Sequence, residues 1–287
     1  MFLIKNCVYF KLNKIIIIIM KYFDSTLTDM PDELFEFGKF AQKIGKKNVR
    51  RDAVSVKNIG QIKRTDITLN ENNEFNKPAG KYITYDCLGV DGKGTKTTLI
   101  DYLSKDIKKL ISGAKILLCL GIGNPDVTSD ALGPRCVSNI SVTVGEAKRQ
   151  VCVSKFSPSV VGNTGIKSND VVTALVAKVK PDAVIVIDSL CTRNFGRIGS
   201  SFQISDVGLV PGSGVGEGAF ELTPKTLGVK VVAIGVPTVV HFRSILGEYV
   251  GDAEILNKYN GLFVSPKEID FIVSFCADVI AGAINSI

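Results

Sequence analysis

The chain has no tryptophan and one histidine, His241, among its 287 residues. One histidine leaves a single base for any Ser-His-Asp or Cys-His site, and it excludes the two-histidine metalloprotease motif altogether. Hydrolytic or acid–base chemistry therefore falls most naturally to carboxylates. The seven cysteines (7, 87, 119, 136, 152, 191 and 276) contain no C-x-x-C pair and no zinc-ligand spacing. Cys87, Cys119, Cys152 and Cys276 lie in apolar stretches, where a free thiol behaves as a small hydrophobe. A cysteine nucleophile would have to recruit His241, so structural thiols are expected. Their odd number, without a secretion signal, fits a reducing compartment. No metal site and no cofactor are expected. The uninterrupted apolar run at Ile15–Met20 falls short of the roughly 20 residues a membrane span needs, so no membrane partner is expected.

What is present is ordinary for a globular protein: 45% apolar and 22% charged residues, enough to bury a sizeable core and too much to leave the chain disordered. The net charge of +7 is unevenly placed. Residues 1–64 carry 13 Lys and Arg against 6 Asp and Glu, while the remaining 223 residues carry 22 of each. A basic arm is attached to an electrically balanced body, so nucleic-acid binding by the body is not expected. Five isoleucines between Lys14 and Met20 look like a translated upstream stretch, with Met20 as the initiator and residues 1–19 a start artefact.

The pattern predicts a helix over 31–45, with Pro31 in its first turn and Gly45 at its end. Strands are predicted over 53–58, 61–69 and 82–88. From about residue 95 a βα alternation takes over. Helices are predicted over 95–111, after Asp130, over 169–179 and over 266–284, the last with Ser265 and Glu268 as a capping box. The strands between them are 116–120, 151–155, 183–188, 202–205 and 229–236, several apolar enough to be buried on both faces. This is the signature of a three-layer αβα protein with a mostly parallel central sheet.

Ligands of open α/β sheets bind beyond the carboxyl ends of the strands. Asp130 closes the segment that follows 116–120, and Asp188 follows 183–187. Two carboxylates meeting there would share a proton, one activating water and the other donating. Asp130, before Ala131-Leu132-Gly133, equally reads as a helix cap. Gly121-Ile122-Gly123 begins like a dinucleotide loop but lacks the third glycine. Gly212–Gly218 lies outside the strand-to-helix context of a nucleotide loop. It reads as a mobile lid, and Ser213 is out of register for a nucleophile elbow. His241 sits near a helix start, where packing is the common role.

At these residues the sequence resembles the germination protease family of spore-forming bacteria. The resemblance is carried by Gly121-Ile122-Gly123-Asn124, Thr128 to Pro134, Ser157 to Ile166, Lys180 to Asp188 and Gln203 to Gly208. It continues through Pro211 to Gly216, Thr226 to Gly228, Ala233 to Val240 and Val264 to Asp270, in order from about residue 60 to the C-terminus. It implies a fold like that of hydrogenase-maturation proteases, and a metal-independent aspartic-type endopeptidase with Asp130 and Asp188 as the catalytic pair. The implied substrates are small acid-soluble spore proteins, cut during germination by a homotetramer in the cytoplasm of the forespore or spore core. The resemblance also implies a zymogen. Residues 1–29 form a propeptide removed by self-cleavage between Asp29 and Met30, and residues 30–287 form one peptidase domain. Asn124, Asp126, Ser213 and Gly214 fall in the segments expected to bind or cover substrate. Pro125-Asp126 departs from the family pattern and adds a third carboxylate beside the pair. His241-Phe242 and the short 243–260 segment also depart. Two readings compete: a non-catalytic spore protein of the same fold, and a metal-sensing maturation peptidase.

Overall fold

The computed structural model describes residues 28–34, 53–71, 73, 77–87, 93–143, 151–210, 221–247, 249 and 253–287. Most of the predicted 31–45 helix lies outside the described residues, where only 31–34 are helical. Residues 1–27 and the glycine-rich 211–220 segment, with Ser213 and Gly214, also lie outside them.

Among the described residues nine strands build one sheet: β1 (Ala53–Ile59), β2 (Ile62–Leu69), β3 (Gly80–Cys87), β4 (Ile116–Gly121), β5 (Cys152–Phe156), β6 (Ala183–Thr192), β7 (Ser201–Ser205), β8 (Lys230–His241) and β9 (Phe263–Val264). Their order is β1-β2-β3-β7-β8-β6-β4-β5, with β9 on β8. The β8-β6-β4-β5 half is parallel. The β1-β2-β3-β7 half is antiparallel and joins β8 through β7. The longer helices are α1 (Lys93–Leu110), α2 (Leu132–Asn139), α3 (Ser168–Val179) and α4 (Ile269–Asn285).

The period-two alternation of a strand sorts the core into two layers. On β4, Leu117 and Cys119 face a cluster that holds Leu103, Ile107, Leu132, Cys136, Val273 and Ile280 of α1, α2 and α4. Leu118 and Leu120 face the opposite cluster with Val172 and Val176 of α3. Helices thus cover both faces of the parallel half, which is the three-layer α/β architecture the sequence predicts. A third cluster packs Leu34 against Ile67, Leu69, Tyr82 and Val207, seating residues 28–34 on the antiparallel half.

Three boundaries differ from the sequence reading by three residues or more. β6 continues to Thr192 and β8 to His241, past a register shift at Leu190/Cys191, so Asp188 lies within a strand rather than after one. α4 starts at Ile269, and neither Ser265 nor Glu268 makes a side-chain cap. Val264 is still paired with Val240, so the chain needs the turn closed by the Ile269 N–H on the Pro266 carbonyl before it can enter the helix.

Candidate active site

β4 stops at Gly121, opposite Ile187, while β6 runs on. The chain leaving β4 folds back through a 3₁₀ turn, Thr128–Asp130, and enters α2. Glycine makes this return possible. Gly123 has φ +120°, and a Cβ there would lie 2.0 Å from the Asp130 carbonyl oxygen. A Cβ on Gly133 would lie 2.2 Å from the Ile122 carbonyl oxygen. The Gly121-Ile122-Gly123 segment is therefore a packing device that brings Asp130 onto the sheet end. Gly123→Ala is expected to displace Asp130 and lower any carboxylate-dependent rate about a hundredfold, as misplacement near 1 Å does. Initial rates on a variant shown to be folded by circular dichroism check this.

The Asp130 carboxylate accepts the Asn124 N–H at 2.6 Å. Burial raises its pKa above the ordinary 3.8, and the Asn124 bond opposes the rise. Asp188 is 8% exposed and accepts the Ser189 N–H at 2.8 Å. Its pKa is raised well above 3.8, first by burial, then by the Asp130 charge, and less by the Asp29 charge, with the Ser189 bond opposing. The two aspartates are thus close enough to act on each other, and the more deeply buried one is the better proton holder.

Both line a cleft of about 1110 Å³, shared with Asp29, Lys77, Gln203 and Thr238. Small-molecule sites fill roughly 300–1,000 Å³, so this cleft has room for several residues of peptide. Of the residues read from sequence, Asn124 joins the site through its N–H. Asp126 does not join the pair: its side chain accepts from Asn163 Nδ2 at 2.8 Å on the exposed rim. Ser213 and Gly214 lie outside the described residues.

Asp29, read from sequence only as a cleavage point, reaches the cleft itself. Its N–H donates to the Cys191 carbonyl at 3.0 Å, and its Oδ2 accepts the Cys191 N–H at 2.8 Å. Burial pushes the Cys191 thiol up to about 12, the wrong direction for a thiolate nucleophile. His241 meets that thiol through its backbone, while its ring packs 4.9 Å from Phe263. The polar lining of Ser189, Gln203 and Thr238 leaves little mark in the sequence pattern. A glutamine between Phe202 and Ile204 in an apolar strand was the available signal.

Among the described residues, no three His, Cys, Asp or Glu side chains are grouped to hold a metal ion, and no helix is long and apolar enough to cross a membrane.

Comparison with known proteins gives a consistent set. Residues 38–252 match the profile of a family described as germination protease. A germination protease of Clostridium acetobutylicum is 33% identical, over 91% of this chain and 94% of the relative. One from Caldanaerobacter subterraneus is 35% identical, over 81% and 87%. Among solved structures, a NiFe-hydrogenase maturation protease, HycI from Thermococcus kodakarensis, is 20% identical over 62% of this chain and 98% of its own, with a TM-score of 0.37.

Proposed function

The chain belongs to the germination protease family and is a peptidase, and on that premise we propose that Asp130 and Asp188 are its catalytic pair. The proposed substrates are small acid-soluble spore proteins, cut inside the germinating spore. The observation that carries the pair is that Asp130 and the buried Asp188 line one peptide-sized cleft where β4 ends, with the Asp188 pKa raised first by burial and then by the Asp130 charge.

Asp188, the deeper group, holds the proton at the start. Asp130, stabilised as a carboxylate by the Asn124 N–H, takes a proton from the attacking water. Asp188 gives its proton to the carbonyl oxygen as the carbon becomes tetrahedral. On collapse the C–N bond breaks, the amine takes the proton held by Asp130, and one hydroxyl returns its proton to Asp188. Both carboxyl groups end as they began, and no step requires a metal.

We also propose that the chain is made as a zymogen, with residues 1–29 removable and residues 30–287 forming the peptidase, which assembles as a homotetramer. The packing around the bond supports this division. Met30 and Leu34 are fully buried, and Asp32 and Glu33 pair with Arg197 at 2.6 and 3.4 Å, so Met30 to Leu34 are built into the body. Asp29, on the other side of the bond, lines the cleft.

The test is digestion of a small acid-soluble spore protein by the full chain, read by mass spectrometry with and without a chelator. Chelator-resistant cleavage is expected, with Met30 appearing as a new N-terminus. A chelator-sensitive parent would favour the maturation-peptidase alternative, and a parent that never cuts would favour a non-catalytic binding protein. Cleavage of substrate by a chain that keeps Asp29–Met30 intact would remove the zymogen step and leave the peptidase standing.

A further inference from the structure

One edge of β6 is unfilled in the cleft. Pairing with β4 ends at Gly121–Ile187, with the Ile122 N–H still reaching the Ile187 carbonyl at 2.8 Å. β6 continues to Thr192, and β8 covers its other edge as far as Val240. From Asp188 onward the β4 side of β6 therefore has no neighbouring strand among the described residues. An open strand edge is a template for an extended peptide.

The chain's own N-terminal segment already sits there. Asp29 donates its N–H to the Cys191 carbonyl and returns a carboxylate oxygen to the Cys191 N–H. That oxygen stands where the carbonyl of an added strand would lie. Lys77 Nζ holds the preceding carbonyl, of Thr28, at 2.8 Å. The contact is strand addition at one residue, completed by a side chain.

A second, independent observation points to a ligand. Ser189 Oγ, Gln203 Oε1 and Thr238 Oγ1 are buried without a hydrogen-bond partner among the described residues, and all three residues line the cleft. Gln203 is 8% exposed and Thr238 1%. Buried polar atoms are rarely left unsatisfied, and a bound peptide supplies the missing groups. At the rim of the same cleft, Val127 and Val161 are 46% and 50% exposed, apolar surface suited to the side chains of an extended peptide.

We infer that the peptide substrate binds as an added strand on the open β6 edge at Ser189–Cys191, with Lys77 holding one carbonyl, in the place now taken by Thr28–Asp29. Own segment and substrate are then mutually exclusive on Cys191. The inference rests on the reading of this cleft as the peptidase site.

The experiment uses the isotopically labelled full chain carrying Asp188→Asn, so that bound substrate is not consumed. Two probes are added in excess: a small acid-soluble spore protein and a synthetic peptide copying residues 24–34. Amide hydrogen exchange is followed at residues 28–30 and at Cys191. Either probe is expected to speed exchange at 28–30 by about tenfold, while Cys191 stays protected by the incoming strand. A peptide N-methylated at the Asp29 position, which cannot donate to the Cys191 carbonyl, is expected to displace nothing. Unchanged exchange at 28–30 with both probes overturns the shared edge, and so does equal displacement by the N-methylated peptide. Displacement by the copied segment but not by the spore protein keeps the strand-addition site and removes the proposed substrate class.

Discussion

Asp130→Asn and Asp188→Asn each lower cleavage of a small acid-soluble spore protein by about 10²–10⁴-fold, the range spanned by a positioned proton donor or acceptor. The two losses are strongly non-additive, because either variant disables the same proton exchange. In the parent, activity falls on the acid side as Asp130 takes up a proton and on the alkaline side as Asp188 loses one. The two limbs belong to the pair jointly rather than to single residues. Steady-state rates between about pH 4 and 9, spanning the carboxylate and shifted ranges, check the bell shape. Cleavage that survives in both variants would overturn the assignment and leave the peptidase activity to be placed elsewhere.

The same pair makes a stability prediction with the opposite sign. Asp188 has a folded pKa well above its ordinary 3.8. Its contribution to stability is therefore fully present below 3.8 and is lost as pH rises toward the folded value. Asp188→Asn removes a buried group whose ionisation the fold opposes. Calorimetry is expected to show a higher Tm than the parent at pH 7, with the difference shrinking toward about pH 4. A variant that is less active yet more stable is the signature of a site held against the preference of the fold.

The largest loss of stability is expected at Arg197. Its guanidinium, 12% exposed, lies 2.6 Å from Asp32, 3.4 Å from Glu33 and 2.8 Å from Asp86. Burial raises the Asp32 pKa despite this partner, and the neighbouring Asp86 and Glu33 charges add to the rise. Arg197→Met takes the Arg197 counter-charge away from the buried Asp32 and Glu33, while Asp86 keeps Lys63 at 3.9 Å, and the loss costs about 3–5 kcal/mol. Urea unfolding of the variant measures it. Adding Asp32→Asn to Arg197→Met is expected to recover part of the loss, because one uncompensated charge is then gone. Since Asp32 and Glu33 tie residues 28–34 to the body, the Arg197 variant also loosens Asp29 from Cys191.

Much of this was legible without coordinates. The uniformly apolar runs at 116–120 and 183–187 announced strands buried on both faces, and the residues after them are where an α/β sheet places its chemistry. That reasoning reaches Asp130 and Asp188 before any comparison. The β6 extension was not legible: its register shift at Leu190/Cys191 leaves no mark in an apolar pattern. Nor was the N-terminus of α4, where Ser265, Pro266 and Glu268 carry good local capping chemistry that the pairing of β9 overrides.

Local pattern sets the layers and the succession of strands and helices, and it points to the two carboxylates, because each reading depends on periodicities and turn residues within a few positions of one another. Long-range packing lays Asp29 on Cys191, gathers Asp32, Glu33 and Asp86 round Arg197, and brings Gln203 and Thr238 into the same cleft. The partners in these contacts come from different strands, from the Phe195–Arg197 turn and from the N-terminal segment, and Asp29 and Cys191 stand 162 positions apart. No local rule links residues so far apart. They meet because β4 ends short of β6, and burying Met30 and Leu34 draws the N-terminal segment across the edge that β4 leaves open.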